Sequence, residues 1–357
     1  MKGVILSGGT GTRLRPITHT GPKQLVPVAN KPVIQYVVDD MREAGITEIG
    51  VVLGNVGGDA VQAFLGDGSE FGVEITYIVQ GAPLGLAHAV GCARDFVGDD
   101  DFVVYLGDNM LDQPLGPVVE QFEAGDYAAG VLLREVENPE QFGVATLDEF
   151  GDVVRIVEKP DVPETNLVVI GTYLFSPEVF EAIERVEPSE RGELEITDAF
   201  QNLIDDGRPI ASYQAEGWWK DTGKPGDILE ANRLVLEDME GSLDGTIEDG
   251  AEVVGHVDLH ETATIESGAV VRGPVSIAAG TTIGDGTYVG PYTSIGPDSE
   301  VRRAHVENTI LVGEATVTAD ETIVDSLVGR GTSIDSADDL RPRGYRLVIG
   351  ENSNLRL

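Results

Sequence analysis

"GVILSGGTGTRLRPIT", Gly3 to Thr18, decides how the chain is read. The short apolar run Val4-Ile5-Leu6 gives way at once to a loop holding Gly8, Gly9 and Gly11 together with Arg13 and Arg15. Glycine lets a backbone approach a ligand closely and turn its N–H groups toward it. Arginine adds a planar fork of donors suited to phosphate oxygens. An apolar run that ends in such a loop reads as a buried strand opening on a polyphosphate site. Two common phosphate loops do not fit. The GxxxxGK[ST] pattern needs Lys and a hydroxyl after its second glycine, where Gly11 is followed by Thr12 and Arg13, and GxGxxG starting at Gly9 ends on Leu14.

Outward from this loop, strand-like runs alternate with helical patterns as far as about Ile210. The strands are "EIGVVLG" from Glu48, "DFVVYLGD" from Asp101 and "YAAGVLL" from Tyr127; the helices are Pro32–Glu43 and a stretch near Leu86–Phe96. Val33, Ile34, Val37, Val38 and Met41 recur on one face of the first helix. The alternation predicts an α/β, Rossmann-like domain with a mostly parallel sheet, its ligands outside the carboxyl ends of the strands, where the glycine loop and Asp108 fall.

The second half obeys another period. Ile247, Val253, Leu259, Ile265, Val271, Ile277, Ile283, Val289, Ile295 and Val301 follow one another every six residues, and beyond Val301 the register slips, with Leu311, Val317 and Ile323 as later rungs. This hexapeptide pattern predicts a left-handed parallel β-helix with the aliphatic residue inward. Gly226–Glu240 predicts a connecting helix. The domains expected are 1–240, a catalytic domain ending in that helix, 241–335, the β-helix, and a tail, 336–357.

The chain has 357 residues, 62 of them acidic against 24 basic, for a net charge of −38. Such a surface excludes nucleic acid and anionic membrane as partners. The acids are spread through every segment, a pattern suited to a halophile, since about 1 M salt shortens the Debye length to about 3 Å. There is no apolar leader and no membrane-length apolar run, which predicts a cytoplasmic protein, and the single Cys92 allows no intrachain disulfide. Only six lysines remain, and Lys23, Lys31, Lys159 and Lys220 all lie in the motifs that follow.

"PKQLVPVANKPVI" begins at Pro22, close behind the arginines. With the opening loop it matches GGxGTRLxPxT followed by PKxxxPxxxKP, and by these residues the chain resembles the sugar-1-phosphate nucleotidyltransferases. The resemblance continues through "QGAPLGLAHAV" (Gln80–Val90), "LGDNM" (Leu106–Met110), "FGVATLDEFGDVVRIVEKP" (Phe142–Pro160) and "WWKDTG" (Trp218–Gly223). It extends over nearly the whole chain and looks most like the long form of glucose-1-phosphate thymidylyltransferase, which also carries a β-helical tail.

The resemblance implies transfer of a pyrimidine nucleotidyl group from dTTP or UTP to glucose-1-phosphate. It assigns catalysis to Arg13 and Lys23, and nucleotide binding to Leu6, Ser7, Gly8, Gly9, Gly11, Thr12, Gln24, Gln80, Pro83 and Gly85. Sugar-phosphate binding falls to Asn109, Gly143, Glu158, Lys159, Ile170 and Tyr173, and a Mg²⁺ site to Asp108 and Asp221. A phosphate monoester is already largely a dianion at pH 7, so the reaction needs positioning and charge neutralisation rather than a general base. Arg15 reads as either a loop pin or a ligand, Lys31 as a brace, Trp218 and Trp219 as either core or ligand contacts, and the carboxylates of "GELEITD" (Gly192–Asp198) as structural. The partners expected are the triphosphate, the sugar phosphate and further copies of the chain, as a trimer or a multiple of one assembled through the β-helix, which reads as a separable assembly module. Two other readings stay open: a bifunctional acyltransferase using His256, His260 or His305 as base, and a non-catalytic regulatory subunit.

Overall fold

The computed structural model describes residues 1–9, 11–19, 21–335 and 352–355; the expected tail, 336–357, lies otherwise outside the described residues. Two compact units form, one from Met1–Thr10 and Ile34–Asp221, the other from Gly11–Val33 and Thr222–Leu357. The division by packing therefore differs from the division by sequence expected near residue 240. The opening loop is divided, with Gly8 and Gly9 in the first unit, while its arginine part from Gly11 on, the PKQL segment and the connecting helix belong with the repeat.

The first unit is built on a nine-stranded sheet. Lys2–Ser7 runs parallel between Glu48–Leu53 and Phe102–Leu106, and Glu74–Val79 extends the parallel set. Leu167–Phe175 then lies antiparallel to Phe102–Leu106, so an antiparallel half adjoins the parallel one. Helix Val33–Glu43 starts within a residue of its expected position, and its Ile34, Val37, Val38 and Met41 are fully buried. Gly3 makes that packing possible, because a Cβ there would lie 2.7 Å from Met41 Sδ. The helix expected near Leu86–Phe96 is two, Leu86–Gly91 and Arg94–Val97. Behind the antiparallel strand, Phe102, Tyr173, Phe175, Phe180 and Phe200 form one aromatic cluster, with Phe175 and Phe200 centred 4.9 Å apart.

In the second unit short strands stack into three parallel sheets, the left-handed β-helix. The predicted inward residues Leu259, Ile265, Val271, Ile277, Ile283, Val289, Ile295 and Val301 are fully buried, while Ile247, on the first coil, is exposed. Beyond Val301 the slip has a physical form: Val306 and Leu311 follow at five-residue steps, and Val289 pairs with Val306, Ile295 with Leu311 and Val301 with Val317. The shortened corners turn on residues in the left-handed region, Arg303 and Asn308, a conformation that costs a non-glycine residue roughly 1 kcal/mol. Ile323, Val328 and Ile334 complete the last turn of the coil. The connecting helix is Pro225–Glu237, and it buries Ile228, Ala231, Asn232 and Leu236.

Candidate active site

In the first unit the site is assembled where the parallel strands end. Leu6 pairs with Val52 on one side and Leu106 on the other, and the Gly107 N–H donates to the Leu6 carbonyl at 3.0 Å. The chain thus leaves the sheet side by side at Ser7-Gly8 and Gly107-Asp108. A Cβ at Gly8 would fall 2.6 Å from Gln80 Oε1, so a side chain there would push the Gln80 amide from its present position. Gly54 is required in turn by Gly8, whose carbonyl would lie 2.7 Å from a Cβ at 54. Sequence reasoning passed over Gly54, although it ends an apolar strand just as Gly8 follows one.

Gln80 is held by its backbone N–H on the Leu53 carbonyl at 2.9 Å and by its side-chain Nε2 on the Gly85 carbonyl at 3.2 Å. Gly85, at φ 114°, has Leu194 against it; a Cβ would sit 2.4 Å from the Leu194 carbonyl oxygen. Leu194 also exchanges backbone hydrogen bonds with Leu84 and Ala87, so the GELEITD segment braces this turn while Pro83 stays exposed. His88 approaches Gln80 Nε2 at 3.4 Å through Nδ1 and has no nucleophile beside it among these contacts.

Asp108 and Asn109 are buried, at 8 % and 2 % exposure. The Asn109 amide donates to the Ile170 carbonyl at 2.8 Å, and Gly171, at φ 76°, leaves room for it; a Cβ there would be 2.1 Å from Nδ2. Asn109 pairs in antiparallel register with Asp221, Met110 with Lys220 and Leu111 with Trp219. This short ribbon brings Asp221 to the segment that begins at Asp108. Among the described residues no cluster of three or more His, Cys, Asp or Glu is poised for a metal. Two carboxylates at a strand mouth suit Mg²⁺, which takes one or two protein carboxylates and fills its other positions with water and phosphate oxygens. Trp219 meets Phe142 edge-on at 5.5 Å and is half-buried, as is Trp218.

The segment expected to bind the sugar phosphate is a second constellation in the same unit. Gly143 pairs with Glu158, and a Cβ at 143 would be 2.9 Å from Thr197 Cγ2 and 3.4 Å from Glu158 Oε2. Lys159 stands in the left-handed region at φ 40°, its N–H on the Phe142 carbonyl and its Nζ 3.3 Å from Glu158 Oε1. Burial raises the Glu158 carboxyl above the usual range, against the pull of Lys159 and with the push of Glu195. The Tyr173 phenol, fully enclosed, is raised first by burial and then by the Glu158 charge. Arg191, which sequence reasoning passed over, donates to Glu158 at 3.3 Å and to buried Glu195 at 2.8 Å. Glu195 also accepts from the Ser189 hydroxyl at 2.7 Å, so the GELEITD carboxylate nearest the site is an anchor.

The remaining predicted residues lie in the second unit. Gly11 turns in the left-handed region at φ 62°, its carbonyl taking the Thr18 hydroxyl at 2.7 Å, and a Cβ there would stand 3.2 Å from Lys23 Cβ. The arginine loop therefore rests on the PKQL segment. Thr12 and Arg13 are exposed on a short 3-10 turn that Leu14 anchors, and Arg15 is exposed beside it. Gln24 is 1 % exposed, and its Oε1 is buried without a hydrogen-bond partner among the described residues. The Ser7 hydroxyl, in the first unit, is buried in the same state. Unsatisfied buried polar atoms cost about 1–3 kcal/mol each, a cost that a bound ligand removes. In the coil, His260 Nδ1 is engaged with the Thr262 hydroxyl and His305 lies edge-on to Tyr288, contacts that prepare neither as a base.

Comparison with known proteins bears on the family of the chain. The family model of the nucleotidyl transferases matches residues 2–238. The low-salt glycan biosynthesis nucleotidyltransferase Agl11 of Haloferax volcanii is 65 % identical over 357 residues, covering the whole of both chains. A glucose-1-phosphate thymidylyltransferase of Streptomyces griseus is 46 % identical over 100 % of this chain and 99 % of its own. Among solved structures, a Bacillus anthracis chain described as a glucose-1-phosphate thymidylyltransferase, in complex with sucrose, is 41 % identical with a TM-score of 0.63, over 68 % of this chain and 98 % of that one.

Proposed function

The chain belongs to the nucleotidyl transferase family, and from that premise we propose that it joins glucose-1-phosphate to the nucleotidyl group of dTTP or UTP, releasing pyrophosphate. The product, an NDP-glucose, would feed glycan synthesis in the cytoplasm. The observation that supports the reading is the antiparallel pairing of Asn109 with Asp221, which brings Asp221 to the residue that follows Asp108 in the chain.

A sugar-phosphate oxygen attacks the α-phosphorus in line, and the β,γ-pyrophosphate leaves with the bond electrons. No general base is needed. Gly8, Gly9 and Gly11 offer backbone to the triphosphate, with Leu6, Ser7 and Thr12 beside them; Arg13 and Lys23 neutralise the charge that builds on the β- and γ-phosphates. Gln24 reads the pyrimidine edge with its unpaired carbonyl, which suits an imide N–H, and Gln80, Pro83 and Gly85 line the base. Lys159 holds the sugar phosphate, Glu158 accepts from hexose hydroxyls, and Asn109, Gly143, Ile170 and Tyr173 shape the hexose site. Asp108 and Asp221 would hold Mg²⁺, which when bound supplies charge stabilisation to the phosphoryl oxygens. Residues 1–240 carry this chemistry, and copies of the chain assemble as a trimer or a multiple of one through the β-helix.

The test is turnover with four nucleoside triphosphates against three hexose-1-phosphates in molar KCl. Pyrophosphate release with a pyrimidine triphosphate and glucose-1-phosphate is expected. Release with none of the twelve pairs would refute the reading. Thymine and uracil differ by one methyl, worth about 1–3 kcal/mol of discrimination, so the panel also ranks dTTP against UTP.

A further inference from the structure

Residues 27–32 form a hairpin: Pro27–Val28 pairs with Lys31–Pro32, leaving Ala29-Asn30 as a two-residue turn. Both turn residues have positive φ, 46° and 63°, as a type I′ turn requires. Alanine is a poor choice for that position, since the left-handed region crowds its Cβ against the following carbonyl oxygen. Such strain persists where the surroundings hold it. Here the holding groups come from the connecting helix and the β-helix.

Asn232, on the connecting helix, is fully buried. Its Oδ1 accepts from the Ala29 N–H at 2.8 Å and from the Ser294 hydroxyl at 2.7 Å, and its Nδ2 donates to the Tyr292 carbonyl at 2.9 Å. Next to it, the Arg233 guanidinium stands over the Tyr292 ring at 4.9 Å. From the hairpin side, Asn30 Nδ2 reaches the Ser276 hydroxyl at 2.9 Å and the Ile295 carbonyl at 3.2 Å. Ser276 and Ser294 are register partners on neighbouring coils. Each stands next to an inward-facing aliphatic residue in its rung, where a coil exposed to water would present its hydroxyls to solvent, yet they are 2 % and 0 % exposed. They are covered because the hairpin and the helix sit on them.

The other end of the hairpin leads to the chemistry. Val33 N–H closes on the Val26 carbonyl and Val26 N–H on the Lys23 carbonyl, so the hairpin is continuous with the turn carrying Lys23 and Gln24. Gly11, on the arginine loop, packs against Lys23 in turn. We propose that the β-helix is a positioning element of the nucleotidyl transfer: through Asn232 and Asn30 it fixes the segment that presents Arg13, Lys23 and Gln24, with Asn232 as the central positioning residue. This rests on the reaction proposed above, and it revises the expectation of a separable assembly module. A displacement of about 1 Å at a reacting group can cost up to a hundredfold, so loss of the anchor acts on kcat.

The test compares full-length Asn232→Ala and Asn30→Gly with wild type in molar KCl; glycine at 30 removes the amide while tolerating the turn's φ. Two measurements are made: steady-state kinetics, and amide hydrogen exchange resolved over residues 11–33. Expected are a tenfold or larger loss of kcat, little change in KM for the sugar phosphate, and faster exchange through 11–14 and 23–33, with exchange in 259–301 unchanged. Asn30→Gly keeps the question open to measurement if Asn232→Ala does not fold. Unchanged exchange in 11–26 in a folded variant overturns the proposal whatever the activity, as does faster exchange with wild-type kcat. A wild-type protein that turns over none of the twelve substrate pairs instead refutes the proposed reaction, and the exchange data then judge the anchor separately.

Discussion

The sheet unit and the coil use strands in opposite ways. In the sheet, strands such as Lys2–Ser7 and Phe102–Leu106 are five or six residues long, and their carboxyl ends stop together. Gly8, Gln80 and Asp108 all stand where an apolar run gives out. In the coil, strands are two or three residues long, and each end is a corner that passes the chain to the next face. The sheet concentrates its polar groups at one edge and shares one core. The coil spreads its stability along a line, each rung resting on the rungs above and below it. The carboxylates and sugar-phosphate residues proposed for the reaction therefore gather at the edge of the sheet, whereas the coil, on the proposal above, holds in place the segment that carries Arg13, Lys23 and Gln24.

The largest effect expected tests the linear character of the coil. Ile283 is fully buried and pairs with Ile265 and Val301 on a face other than the one that seats the hairpin. Ile283→Ala should cost about 2–5 kcal/mol of coil stability, seen as an earlier unfolding transition in calorimetry, with kcat per folded molecule unchanged. A large loss of kcat in the folded variant would mean that coil and chemistry are not so divided.

At the sheet edge the expectation is reversed. Asp108→Asn or Asp221→Asn should lower turnover at least about a hundredfold, roughly 2.7 kcal/mol, while leaving the melting temperature close to wild type. Near-normal turnover at saturating Mg²⁺ would remove that residue from the metal site. A third comparison sets both units against salt. With a net charge of −38, molar KCl should screen repulsion in each and raise melting by several degrees, at about 2–4 °C per kcal/mol. A flat or falling profile would sink the halophilic reading.

The same contrast governs what the sequence discloses. Hexapeptide spacing marks the coil's inward residues because one direction of the rung repeats, and it fails after Val301 because two successive steps, to Val306 and to Leu311, are one residue shorter. The sheet edge is legible because Gly8 and Asp108 interrupt apolar runs. What stays hidden depends on residues far apart in the chain. Ser294 reads as one more outward serine, Asn232 as a polar residue on an amphipathic helix, and Ala29 as an ordinary alanine; only the folded chain joins them. Gly171 and Arg191 escaped for the same reason, since the groups they serve, Asn109 and Glu158, arrive from other strands.

The smallest expected effect concerns Glu158, where function and stability should part. Burial raises its carboxyl in the folded protein, so folding favours the protonated form. Between the unfolded and folded values the native state binds more protons than the unfolded one, so stability falls as pH rises through that window and stays lowered above it. Glu158→Gln removes the cost, and its melting temperature at pH 7 should equal or slightly exceed that of wild type. The charged form is the one that accepts from sugar hydroxyls. KM for the sugar phosphate should therefore rise several-fold in wild type as pH falls, starting at a higher pH than an ordinary carboxylate would give. In Glu158→Gln the same KM should be several-fold higher at pH 7 and should rise in acid only as the sugar phosphate takes up its own second proton, at a pH of about 6. A variant with wild-type KM, or with an acid limb like that of wild type, would assign that titration elsewhere and leave Glu158 as the partner of Arg191 alone.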